Sequence, residues 1–86
     1  MVLKKMSKLP KWFRGETYKE GDTVTNRFSG KEYKLTAEEL SMYDFIMGAQ
    51  VMMEMGNGNE GMIIEMRRGL DWFRKNNSKA YMVLLD

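Results

Sequence analysis

The sequence predicts an α+β fold: an N-terminal β-hairpin, then an antiparallel two-helix hairpin and a short C-terminal helix, assembled as an oligomer. Three observations predict it. Two runs of alternating apolar and polar residues flank Ser29-Gly30, which suits a two-residue hairpin loop. A helix-starting signal follows at Thr36, and a Gly- and Asn-rich loop then separates two segments with helical spacing of apolar residues.

Length and composition limit the chain to one small domain. We expect a basic arm over residues 1–14 and a single domain over 15–86, because all charges of the arm are basic. The 86 residues include no Cys and no His, which excludes disulfides, thiolate or imidazole metal sites and His-based catalytic triads. Without Cys or an apolar leader, the expected location is the cytoplasm.

The hairpin is predicted over residues 23–36, with strands 23–28 and 31–36. Pairing around Ser29-Gly30 places Val24 opposite Leu35 and Arg27 opposite Glu32 as a cross-strand ion pair. In this register one face is apolar and carries Val24, Phe28, Tyr33 and Leu35.

Three helical segments follow the hairpin. Thr36 and Glu39 form a capping box for a helix over 37–55, and Gly56 is suited to end it. The second helix is predicted over 58–75, with an apolar stripe on one side. The last element, 79–85 with Ser78 as its cap, is short enough to be helix or strand, and its residue types favour a helix.

No catalytic, cofactor or metal site is predicted. The run Gly56–Gly61 matches G-x-G-x-x-G, but it follows a helix instead of a strand, so we interpret it as a connection between helices. A weaker possibility is an anion held by free N–H groups at the start of the second helix. The acidic residues are explained by capping and by ion pairs along the helices, so we expect no enzyme activity and no cofactor.

The central helix is apolar around more than half of its circumference. Between Phe45 and Met55 the only polar side chains are those of Gln50 and Glu54, which share one stripe. Gly48 and Gly69 indicate a close crossing of the two helices, and the remaining apolar surface predicts an oligomer or a partner protein. The alternative is a closed monomer in which the arm and residues 80–85 cover that surface. The predicted interface residues are Phe45, Met47, Val51, Met52 and Met55.

The basic residues support a second function class, nucleic-acid binding. The arm could contact phosphates, lie on an anionic membrane surface, or be a solvated tail anchored by Trp12-Phe13. Trp72 could stack on a base, although packing within its own helix is the commoner role. The candidate contacts are Lys4, Lys5, Lys8, Lys11, Arg14, Arg67, Arg68, Trp72, Arg74 and Lys75.

Two runs, 26–45 and 69–85, resemble small proteins of marine cyanobacterial phages, and the likeness extends over residues 16–86. The resemblance implies a small viral protein made in a bacterial host and carries no functional residues with it. The apolar circumference of the central helix predicts a small non-enzymatic interaction protein. It self-associates through the Met-rich helix, binds a host or viral protein, and has no transmembrane segment.

Overall fold

The computed structural model describes residues 9–13 and 15–85. It confirms the α+β class, with a two-stranded antiparallel hairpin followed by three helices. The elements are β1 (Asp22–Thr25), β2 (Glu32–Leu35), α1 (Ala37–Glu54), α2 (Glu60–Asn76) and α3 (Ser78–Leu84).

The hairpin register differs from the predicted one by two residues. Asp22 pairs with Leu35 and Val24 with Tyr33, and the loop between the strands is longer than two residues. Asn26 causes the shift, because its side-chain oxygen accepts from the Phe28 N–H at 2.8 Å and bends the chain early. A shift of two keeps each side chain on its predicted face. Phe28, however, leaves the apolar face for the turn and is fully exposed.

The predicted ion pair between Arg27 and Glu32 is wrong for the same reason. Arg27 lies in the turn, whereas Glu32 pairs across the strands with Thr25. Within residues 9–13 and 15–85, ion pairs occur only around Asp71.

The start and end of α1 follow the predicted signals. The Thr36 hydroxyl accepts from the Glu39 N–H at 3.2 Å, and the Glu39 carboxylate accepts from the Thr36 N–H at 3.0 Å. Met55 is the C-cap, and Gly56 follows at a φ of 82°, a left-handed conformation that favours glycine.

Asparagines cap the other two helices. The Asn59 side chain accepts from the Met62 N–H at 2.9 Å and starts α2 at Glu60, two residues after the predicted start. Residues 78–84 are a helix, which confirms the favoured alternative for this segment. Its cap is Asn77, whose oxygen accepts from the Ala80 N–H at 3.1 Å, so the prediction of Ser78 as the cap is wrong.

The two long helices cross at Gly69 but not at Gly48. A Cβ added to Gly69 would lie 3.1 Å from both Ile46 Cγ1 and Met42 Sδ, so the backbone of α2 approaches α1 closely there. Gly48 is exposed with open space around it, because it lies on the side of α1 that faces away from α2. The predicted role of Gly48 in the crossing is therefore wrong.

The core forms between the N-terminal part of α1, the C-terminal part of α2, α3 and β2. Ala80 and Leu84 of α3 are buried, so the last helix closes the core from the end of the chain. Asn26 ties the hairpin turn to α3, because its side-chain N–H donates to the Val83 carbonyl at 2.9 Å. The buried hydrophobic cluster consists of Leu35, Met42, Ile46, Phe73, Ala80 and Leu84.

Candidate functional site

The aromatic residues at the end of the arm cover part of α1. The Phe45 ring lies 5.4 Å from the Phe13 ring and 6.2 Å from the Trp12 ring, both measured between centroids. The edge-on contact with Phe13 is a favoured aromatic geometry. Trp12-Phe13 therefore anchors the arm on the domain, as one interpretation of the arm expected, and Phe45 is only half-exposed.

The opposite end of the helical hairpin keeps its apolar side chains in solvent. We call this surface the apolar tip and define it by Val51, Met52, Met55, Ile63 and Ile64. Val51 and Met55 are 51% and 67% exposed at the end of α1, and Ile63 and Ile64 are 36% and 48% exposed at the start of α2. The exposed fraction of Met52 is 41%.

The tip is exposed because the other elements pack elsewhere. The arm reaches Phe45, and α3 packs against α2 and β2. The connecting loop packs closely on α1 at Gly58, where an added Cβ would collide with the Met53 side chain. Two helices alone must therefore bury the apolar residues of the tip, and they bury only the side chains that face each other.

The five predicted interface residues divide into two groups. Phe45 and Met47 are half-buried, whereas Val51, Met52 and Met55 are exposed. The arm covers Phe45 in part, which is the cover that the closed-monomer alternative expected from it.

Two residues of the tip were missed by sequence reasoning. By its spacing Ile63 belongs to the apolar stripe of α2, but in the structure it is 36% exposed. Ile64 is not among the predicted interface residues, although it is 48% exposed. Its position off the stripe is the signal that could have found it, because an apolar residue on the polar side of a helix has no place in the core.

A second candidate surface is a depression of about 450 Å³ between α2 and α3. The Arg74 guanidinium lies 6.0 Å from the centroid of the Tyr81 ring and donates to Asp71 Oδ1 at 2.6 Å. The bond from Arg74 and the nearby Lys75 hold the pKa of Asp71 below its usual range. The depression is lined by Arg67, Arg68, Leu70, Asp71, Arg74 and Tyr81.

The predicted nucleic-acid contacts are only partly brought together by the fold. Arg67, Arg68 and Arg74 line the depression, and Lys75 lies 3.7 Å from Asp71 at its edge. Trp72 is half-buried and packs edge-on against Phe73 at 6.1 Å, which agrees with the packing role. Lys11 is exposed on the arm. Four predicted contacts lie outside the described residues: Lys4, Lys5, Lys8 and Arg14.

The Gly-rich run 56–61 covers most of the loop between α1 and α2 and the first two residues of α2, which agrees with its interpretation as a helix–helix connection. In the part of the chain that the structure describes, no three acidic side chains group as a metal site requires. No helix in that part is both long and apolar enough to cross a membrane.

Neither a family model, a curated protein nor a solved structure matches this chain. The resemblance to cyanobacterial phage proteins therefore stays a prediction.

Proposed function

We propose that this protein is a small non-enzymatic interaction module that self-associates through the apolar tip and binds a partner protein there. The observation that carries the proposal is the exposure of five large apolar side chains at one end of the helical hairpin. Such exposure is typical of an interaction surface, because burying these side chains on a partner gains about 25 cal/mol for each Å² removed from water.

The composition of the tip suits a contact with another protein. Met52 and Met55 have flexible side chains that adapt to irregular surfaces, whereas the branched Val51, Ile63 and Ile64 are stiffer. We propose a partner protein of the virus or its host, a choice that rests on the resemblance of residues 16–86 alone.

Sedimentation over a wide concentration range tests the proposal. The variant Met52→Glu/Ile64→Glu places one carboxylate in each helix of the tip, and we expect it to shift the protein toward monomer. Its control, Phe28→Glu/Met82→Glu, also replaces two exposed apolar residues by glutamate, but away from the tip. A wild-type protein that stays monomeric at high micromolar concentration, or a control that dissociates equally, would contradict the proposal.

We propose nucleic-acid binding as a second candidate function, because three arginines line the depression between α2 and α3. Arg67 and Arg68 have no ion-pair partner among the described residues, so their guanidinium groups are available to phosphates. Tyr81 and Leu70 supply an apolar wall beside them.

Fluorescence anisotropy with labelled single-stranded DNA tests this candidate. We expect binding that weakens steeply with salt and that is lost in Arg67→Ala/Arg68→Ala. The control Lys31→Ala/Lys34→Ala removes the same charge from the hairpin and should bind as the wild type does. A flat titration at low salt would exclude this function.

A further inference from the structure

The first two turns of α2 carry an exposed face with an unusual arrangement of charge. Glu60, Ile63, Ile64 and Arg67 recur at spacings of three and four, so they lie together on one side of the helix. All four are exposed. The face therefore has an acid at one end, two isoleucines in its centre and a base at the other end.

This face is complementary to a copy of itself. The midpoint between Ile63 and Ile64 is also the midpoint between Glu60 and Arg67. If two copies of α2 lie antiparallel about a twofold axis through that midpoint, the isoleucines meet at the centre. Glu60 of each copy then lies opposite Arg67 of the other, and the twofold makes both pairs identical.

The charges of Glu60 and Arg67 are free to pair in this way. Neither residue has an ion-pair partner among residues 9–13 and 15–85. Asp71, the next acid along the face, is already engaged by Arg74 at 2.6 Å and by Lys75 at 3.7 Å. Charge complementarity therefore favours the register that is centred on the isoleucines over one that is centred farther along α2.

We propose that the protein forms a twofold-symmetric dimer in which α2 pairs antiparallel with α2 of a second copy, with Glu60 opposite the partner's Arg67. The proposal rests on the self-association proposed above and assigns it to the α2 half of the apolar tip. The pairing assigns no contact to the α1 half of the tip, Val51, Met52 and Met55, which lies on a different helix from the paired face and is exposed in the single chain. That half is the surface that remains for a partner protein.

A charge-reversal experiment tests the pairing. In Glu60→Arg each copy presents two positive charges, and in Arg67→Glu each copy presents two negative charges. We expect each variant alone to dimerise at least about tenfold more weakly than the wild type, because both symmetric pairs change from attraction to repulsion. We expect an equimolar mixture of the two variants to associate again as a heterodimer, with an affinity close to that of the wild type.

Sedimentation equilibrium measures these affinities, and circular dichroism confirms that each variant keeps its helices. The controls Glu20→Arg and Lys34→Glu make the same charge changes at exposed residues outside α2 and should dimerise as the wild type does. If the wild type dimerises but the mixture does not recover association, or the single variants dimerise normally, the antiparallel pairing is overturned. If the wild type is monomeric, self-association itself fails and the proposed function fails with it.

Discussion

The Asn77 side-chain N–H donates to the Glu39 carboxylate at 3.0 Å, joining two residues that are 38 positions apart. Each residue also caps a helix. Glu39 completes the capping box of α1 through the Thr36 N–H, and Asn77 caps α3 through the Ala80 N–H. The start of α1 and the junction of α2 with α3 are thus held by one hydrogen-bonded group.

We expect Glu39→Ala to lower the free energy of unfolding by about 1–2 kcal/mol, because it removes two hydrogen bonds at a buried cap. Asn77→Ala should cost a similar amount, and the double variant less than the sum, since both changes remove the same bond. Urea unfolding measures these values. Glu38→Ala, the same substitution one residue earlier, is the control and should have a smaller effect. Strict additivity would show that the Glu39–Asn77 bond contributes nothing.

Two glycines in helices should respond oppositely to alanine. Gly48→Ala should stabilise the protein by about 0.5–1 kcal/mol, because the new methyl group meets open space and alanine favours the helix. Gly69→Ala should destabilise it by about 0.5–1 kcal/mol, since the methyl group presses on the fully buried Met42 and Ile46. Thermal unfolding of the two variants under the same conditions checks the prediction, and a change of the same sign in both would contradict it.

Removing the contact between the arm and α1 should lower the stability of the protein. Phe13→Ala removes the ring that packs on Phe45 and should cost about 1–2 kcal/mol. Phe28→Ala is the matched control and should change stability by less than about 0.5 kcal/mol, because Phe28 is fully exposed. If chemical unfolding gave equal losses for Phe13→Ala and Phe28→Ala, the contact between Phe13 and Phe45 would contribute nothing to stability.

The raised pKa values of two tyrosines predict that the protein loses stability at alkaline pH. The bond from the Tyr18 hydroxyl to Asp44, 3.1 Å long, raises the pKa of Tyr18, and burial raises the pKa of Tyr43. The folded protein therefore holds these protons more tightly than the unfolded chain. The resulting stabilisation is complete below the unfolded pKa of 10.0 and is lost as the pH rises through the folded values.

Urea unfolding at a series of pH values above neutrality measures that loss. We expect Tyr18→Phe/Tyr43→Phe to make the decline in stability above about pH 10 less steep, because neither side chain can then ionise. An unchanged slope would show that the ionisation of Tyr18 and Tyr43 does not cause the loss of stability at alkaline pH.

The two ends of α1 could be predicted from the sequence because their signals are local. The capping box at Thr36 and the left-handed Gly56 each depend on a few neighbouring residues. The hairpin faces were also predictable, but the register was not. A shift of two residues preserves alternation, so the pattern could not distinguish the two pairings, and the turn chemistry of Asn26 decided between them.

Contacts between distant segments could not be predicted, because they depend on how the elements pack. Nothing near Asn77 in the sequence indicates that its side chain meets Glu39. Likewise, periodicity indicated that α1 is too apolar to stand alone but not which part the arm would cover. Only the fold shows that Phe45 lies beneath Phe13 whereas Met55 stays in solvent.

Self-association through the apolar tip is the central claim, and sedimentation equilibrium of the wild type beside Met52→Glu/Ile64→Glu tests it most directly. The claim predicts that the average mass of the wild type rises from monomer toward dimer with concentration, while the variant stays closer to monomer. A wild-type mass that stays at 10.1 kDa throughout would contradict it.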